Sequence, residues 1–170
     1  GHFVSHGSVS FLSSTMSDNQ EPKRGLLIAI EGIDGVGKTT LAVNLLRELN
    51  KISTALMIGF PQRQMATGRI LDEALRGVHN FTPETLHYLF AANRAEAMPE
   101  IERRLADGQI LICDRYFLSG AAYSMAKGLP EEFVLQETSR IIMPDMVLHL
   151  DLLVGVTMER LRKRGRKLEQ

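Results

Sequence analysis

Gly32, Gly37, Lys38 and Thr39 stand in the order GxxxxGK[ST], a spacing whose chemistry is the holding of nucleoside triphosphate phosphates. Glycines let backbone N–H groups converge on phosphate oxygens, and a helix starting at Lys38 adds partial positive charge at its N-terminus. The Lys38 ammonium reaches the β and γ phosphates, and the Thr39 hydroxyl is a magnesium ligand. Such a string arises by chance in well under about one in a hundred chains of this length. A plain glycine turn between strand and helix is the alternative, and the intact Lys-Thr pair argues against it. The reading is therefore ATP with Mg²⁺, cradled over Gly32, Ile33, Asp34, Gly35, Val36, Gly37, Lys38, Thr39 and Thr40. Asp114 ends the apolar run Ile110–Cys113, a position from which a carboxylate can hold magnesium or its water shell. A structural ion pair with the next residue, Arg115, is the alternative for Asp114 taken alone.

A phosphoryl-transfer enzyme needs a second site, and Arg63, Arg94 and Arg115 are its candidate cations. A hydroxyl acceptor requires a general base, whereas a phosphate monoester, with a second pKa of about 6, is largely ionised near neutrality. What the monoester requires is positive charge that lets two polyanions meet, and guanidinium groups supply it. The residues thus lean toward a nucleotide acceptor. Regulatory GTPases share the cradle, but the chain has no Asn-Lys-x-Asp guanine signature.

Elements must place these residues. Leu26–Ile30 reads as a strand buried on both faces, followed by a helix from Lys38 with Leu41, Leu45, Leu46 and Leu49 on one side. Ala55–Ile58 is a second strand, broken by Phe60 and Pro61, so Arg63 falls in a loop. Thr67–Leu75 reads as a short helix. A longer one starts with Thr82 as cap and Pro83 at its first position, running to Leu105 with a kink near Pro99. Ile110–Cys113 is a third strand, and helical spacing over Leu129–Ile142, a strand at Met146–Leu150 and a basic helix at Val156–Arg164 continue the alternation. Strands alternating with helices predict an α/β fold, a parallel sheet covered by helices on both faces with ligands beyond the carboxyl ends of its strands.

Composition excludes several other classes. The 170 residues are 44% apolar and 24% charged, the profile of an ordinary globular domain. Twenty basic residues balance twenty acidic ones, so no global field recruits nucleic acid or an anionic membrane. The single cysteine, Cys113, excludes an internal disulfide, no Cys/His spacing offers zinc, and no apolar run is long enough to span a bilayer. A reducing, intracellular setting is expected. Residues 1–25, rich in Ser and Gly and without Lys or Arg before Lys23, are expected to be a disordered leader, with Met16 a plausible start.

Four strings now carry a family resemblance: EGIDGVGKTT at Glu31–Thr40, FPQR at Phe60–Arg63, LFAANR at Leu89–Arg94 and DRYFLSGAAY at Asp114–Tyr123. In this order they resemble thymidylate (dTMP) kinase, over about residues 25–170. The resemblance implies a P-loop nucleoside monophosphate kinase fold, ATP and Mg²⁺ as cofactors, and phosphorylation of dTMP to dTDP in dTTP synthesis. It also implies a homodimer, and a cytoplasmic setting with nuclear or mitochondrial pools open. By the same resemblance Arg63 and Arg115 hold the dTMP phosphate, and Asp34 accepts from the sugar 3′-hydroxyl. Phe90 and Arg94, four apart on one helix face, stack on thymine and donate to its O4; Phe60, Ser119, Gly120 and Tyr123 complete the pocket. A core phenylalanine beside a surface arginine is the alternative for the Phe90–Arg94 pair.

Departures from the family pattern matter as well. Gly35 stands where one subclass has arginine, so positive charge must come from elsewhere, and the cluster Arg160, Arg162, Arg164 and Arg166 sits where bacterial-type members carry a mobile lid. Arg164 and Arg166 are the lid candidates for catalysis, beside Lys38, Arg115 and Asp34; a solvated basic helix end is the alternative. Met65 replaces a small polar residue, which predicts one fewer hydrogen bond in the phosphate loop. The expectation is a kinase domain over residues 26–170, with a lid at about 159–170 and the family's C-terminal strand and helices missing. A deoxynucleoside kinase, another nucleoside monophosphate kinase and a truncated nucleotide-binding module without turnover stay open on the residues alone.

Overall fold

The computed structural model describes residues 24–136, 141–163 and 165. Ten elements alternate along it: β1 (Leu27–Glu31), α1 (Lys38–Leu49), β2 (Ala55–Gly59), α2 (Ala66–Leu75), α3 (Pro83–Ala106), β3 (Ile110–Asp114), α4 (Phe117–Ala126), α5 (Glu131–Leu135), β4 (Met146–His149) and α6 (Val154–Lys163). The strands form one parallel sheet in the order β2-β3-β1-β4. All five residues of β1 are buried, as a strand covered on both faces must be.

Side chains alternate across the pleat and so divide the core in two. Leu27 and Ala29 of β1, with Leu111 and Cys113 of β3, meet Ala97, Met98, Ile101 and Leu105 of α3. Ile30 and Ile112 point the other way, onto Leu41, Ala42, Leu45, Leu46 and Leu49 of α1. Parallel strands need crossovers, and those leaving β1 and β3, which are neighbours, go to opposite sides, opening a crevice at their carboxyl ends.

Most sequence expectations hold to within a residue or two. α3 is a 24-residue helix running past Pro99, opened by the Thr82 hydroxyl accepting from Thr85 N and by Pro83 at its first position. One expectation fails. Among the described residues of the stretch Leu129–Ile142, the α-helix is Glu131–Leu135, and Ile141 and Ile142 lie outside any helix; residues 137–140 lie outside the described residues. Ile142 accepts from the Tyr116 hydroxyl at 2.8 Å, and both isoleucines pack on the core, so their apolar spacing reflects burial rather than helix. Arg24 and Gly25, expected within the leader, are tied to the fold: Arg24 pairs with Asp145 at 2.8 Å, and Gly25 N donates to Leu105 O at 2.7 Å.

Cys113 has no exposed surface, and burial, with the nearby Glu31 carboxylate second, pushes its thiol up to about 12. At about pH 8 an exposed thiol reacts readily with an aromatic disulfide reagent, and Cys113 should not until the chain unfolds in denaturant. Rapid labelling of the native chain would contradict its place between β1 and β2.

Candidate active site

The β1–α1 turn has the geometry of a phosphate cradle. Gly32, Gly35 and Gly37 all have positive φ, at 139°, 80° and 116°. A Cβ on Gly32 would lie 2.4 Å from the Leu150 carbonyl oxygen, and one on Gly35 would lie 2.9 Å from the Thr157 carbonyl oxygen and 3.1 Å from Leu161 Cγ. Gly37 is the N-cap of α1, aiming the first-turn amides of that helix at the crevice. Lys38 is only 6% exposed, and its ammonium donates to the Ile33 carbonyl at 2.8 Å and lies 3.8 Å from Asp34. Burial, and secondly the Arg115 guanidinium, hold the Lys38 pKa below the usual lysine value. Thr39 Oγ1 donates to Asp114 Oδ2 at 2.5 Å, joining the two oxygens expected at magnesium.

Arg115 begins the turn from β3 into α4 at φ 69°, a left-handed conformation that disfavours a non-glycine residue by about 1–2 kcal/mol. Strand β1 holds it there. Arg115 N donates to Ile30 O at 3.0 Å and Tyr116 N to Glu31 Oε1 at 3.0 Å. The second Glu31 oxygen takes the Ser119 hydroxyl, which accepts from Arg115 Nη1 at 3.1 Å, and Arg115 Nη2 pairs with Asp34. Glu31, 2% exposed, thus orients Arg115 through Ser119. Glu31 had no role in the motif reading, although a signal was present: a lone acid closing the apolar strand Leu-Ile-Ala-Ile-Glu.

Two cavities meet at this point. One of about 540 Å³ contains the expected acceptor residues Phe60, Arg63, Phe90, Arg94, Ser119, Gly120 and Tyr123. The other, of about 310 Å³, runs along the cradle past Gly35, Gly37, Lys38, Thr39, Thr40 and Asp114. Asp34, Phe60, Pro61, Arg63 and Arg115 belong to both. Phe90 and Tyr123 have ring centroids 5.9 Å apart at 62°, so one wall of the larger cavity is aromatic. Arg94 is 2% exposed, which excludes the alternative of a surface arginine. Its guanidinium occupies the space a side chain at Gly120 would take, since a Cβ there would lie 2.7 Å from Arg94 Nη1.

Not every expected residue lines a cavity. Gly32, Ile33 and Val36 are outside both; Gly32 and Ile33 offer carbonyls, to Arg115 at 3.2 Å and to Lys38, while Val36 is buried. Arg63 forms an ion pair with Asp72 of α2. Arg164 and Arg166 lie outside the described residues. Arg160 Nη1 approaches the Val36 and Gly35 carbonyls at 3.4 and 3.5 Å, bringing α6 against the cradle. Met65 caps α2 without a side-chain hydrogen bond, as its apolar side chain requires.

Two cavities sharing a cationic wall, at the carboxyl edge of a parallel sheet, define the class as P-loop nucleoside monophosphate kinases. Comparison with known proteins narrows this. The family model for thymidylate kinase matches residues 30–170, and the chain belongs to that family, whose members phosphorylate dTMP to dTDP in nucleotide biosynthesis. It is 39% identical to thymidylate kinase of Caenorhabditis elegans over 82% of this chain and 69% of that protein. Thymidylate kinase of Arabidopsis thaliana is 36% identical over 93% of this chain, which spans only 59% of the plant protein. The structure of thymidylate kinase from Candida albicans superposes with a TM-score of 0.69 at 30% identity, covering 80% of this chain and 67% of that one.

Gly120→Ala should displace the Arg94 guanidinium and weaken acceptor binding by about tenfold while leaving the fold intact, the ordinary penalty for a disturbed charged hydrogen bond. Titration calorimetry with dTMP, beside a melting curve, checks both halves of that expectation.

Proposed function

We propose that this chain transfers the γ-phosphoryl group of ATP to dTMP by direct in-line displacement, giving ADP and dTDP. The observation that carries this reading is the common wall of Asp34, Phe60, Arg63 and Arg115 between the two cavities. A phosphate in each would face the Arg63 and Arg115 guanidinium groups of that wall, which can neutralise both. An oxygen of the dTMP phosphate attacks the γ phosphorus, the bond to the β–γ bridging oxygen breaks, and its electron pair leaves with ADP. No general base and no covalent enzyme intermediate are needed.

Each residue has a role in that geometry. The loop amides and Lys38 hold the ATP phosphates, and Arg115 and Arg63 hold the dTMP phosphate. Phe90 stacks on the base, Arg94 donates to its O4, and Asp34 accepts from the 3′-hydroxyl. Thr39 and Asp114 supply hard oxygen donors that suit magnesium, and among the described residues no cluster of three acidic, histidine or cysteine side chains offers a complete protein cage. Magnesium bound there would neutralise charge on the donor phosphates. The lid over about residues 159–170, with Arg164 and Arg166 completing the charge that Arg160 begins, belongs to the same reading. So do the homodimer and a cytoplasmic location.

A coupled assay of ADP release, with dTMP, thymidine, dUMP, dCMP and dGMP as acceptors, tests the proposal. Thymidylate kinase from Candida albicans has been described as having broad substrate specificity, so the full panel is informative. Turnover with dTMP but not thymidine is expected; preference for the nucleoside would overturn the acceptor assignment. Lys38→Ala should lower kcat by at least about a hundredfold. Arg94→Ala should raise KM for dTMP by about tenfold or more with KM for ATP within about twofold, and an equal loss for both nucleotides would remove Arg94 from the acceptor site.

A further inference from the structure

Arg63 is an exposed residue on the loop between β2 and α2, which leaves the sheet after Phe60 N donates to Asp114 O, yet it must meet a phosphate to within a few tenths of an ångström. Something outside the loop has to fix it. We infer that Asn93 and Glu96 of α3 are positioning residues for the acceptor phosphate, acting by clamping the two ends of the loop that carries Arg63. This rests on the proposed acceptor site.

On the near side of Arg63, Gln62 is held by Asn93, which is 1% exposed: Gln62 N donates to Asn93 Oδ1 at 2.7 Å, and Asn93 Nδ2 donates to Gln62 O at 3.3 Å. On the far side the first turn of α2 lacks a cap of its own, because Met65 has no side-chain acceptor. Glu96 provides one from the neighbouring helix. Its Oε1 accepts from Ala66 N at 3.2 Å, and its Oε2 accepts from Thr67 N at 3.2 Å and from the Thr67 hydroxyl at 2.5 Å. A carboxylate is the favourable group beside a helix N-terminus, and the Thr67 hydroxyl, followed by the Thr67 amide, holds Glu96 below the usual carboxylate range. Asn93 Nδ2 also donates to Thr67 Oγ1 at 3.0 Å, so the two clamps are one network.

The closure leaves little slack. A Cβ on Gly68 would lie 1.8 Å from the Gln62 carbonyl oxygen, so the two ends of the loop are nearly in contact and Arg63 projects from between them. The loop bond that Met65 does not make is thereby replaced by three that Glu96 accepts. Helix α3 consequently sets two registers at once: Phe90 and Arg94 face the base end of the larger cavity, while Asn93 and Glu96, one and two positions from Arg94, set the phosphate end.

Glu96 is exposed, so Glu96→Ala removes the cap without opening the core. Titration calorimetry of the whole chain with dTMP and with thymidine, in Glu96→Ala, Arg63→Ala and the double variant, reads the effect. Glu96→Ala should weaken dTMP by about tenfold and thymidine by less than about twofold, and should add nothing further in the Arg63→Ala background. Glu96→Gln, which keeps one oxygen acceptor, should recover part of the loss. Equal weakening of dTMP and thymidine, full persistence of the effect without Arg63, or no effect would each overturn the inference. Hydrogen exchange at the Ala66 and Thr67 amides gives a ligand-free readout and should accelerate in Glu96→Ala. If the wild-type chain binds thymidine as well as dTMP, the acceptor reading fails; if exchange is unchanged, the clamp itself fails.

Discussion

The parallel pairing of β1 with β3, with Ile30 opposite Asp114, is the constraint on which the rest depends. It places the end of one strand, where the glycine turn begins, beside the end of another, where the Asp114–Arg115 pair begins. The polar contacts that join the cradle to the Asp114–Arg115 turn cross this seam: Thr39 to Asp114, Arg115 to Asp34, Tyr116 and Ser119 to Glu31. The pairing is in turn fixed by the pleat, since a slip of one residue would turn Leu111 and Cys113 away from α3 and Ile112 away from α1. Hydrophobic register thus determines which oxygens and cations meet.

The cations around the two cavities are already matched to oxygens. Lys38 rests on the Ile33 carbonyl, Arg115 on Asp34, Ser119 and the Gly32 carbonyl, and Arg63 on Asp72. Three positive groups converging in a partly dry crevice would repel one another without such partners; the Lys38 pKa is lowered first by burial and only secondly by the Arg115 guanidinium. An arriving phosphate therefore exchanges one acceptor for another. Recognition of this kind depends on the geometry of the exchange more than on gross charge, which fits a chain with no net charge.

The strands and the cradle were legible in the sequence because they obey local rules. The GxxxxGK[ST] string dictates its own backbone, and continuous apolar runs of four or five residues bounded by turn residues read as buried strands. Phe60, Arg63, Phe90, Arg94 and Arg115 came from motif strings, and they do share one cavity. Glu31, Asn93 and Glu96 escaped notice because their roles lie in contacts between elements far apart in sequence: Glu31 with Ser119, Glu96 with Ala66 and Thr67. Ile141 and Ile142 misled for a related reason, their apolar spacing serving the core without serving a helix.

Gly35 has a consequence that reaches beyond its own turn. The space beside it is filled by the Thr157 carbonyl and the Leu161 side chain of α6, so the seat of that helix and a side chain at residue 35 compete for the same volume. A side chain at residue 35 would therefore crowd the very helix that brings Arg160 against the loop. The empty space of one missing Cβ is thus what lets α6 sit close enough for Arg160 to approach the Gly35 and Val36 carbonyls.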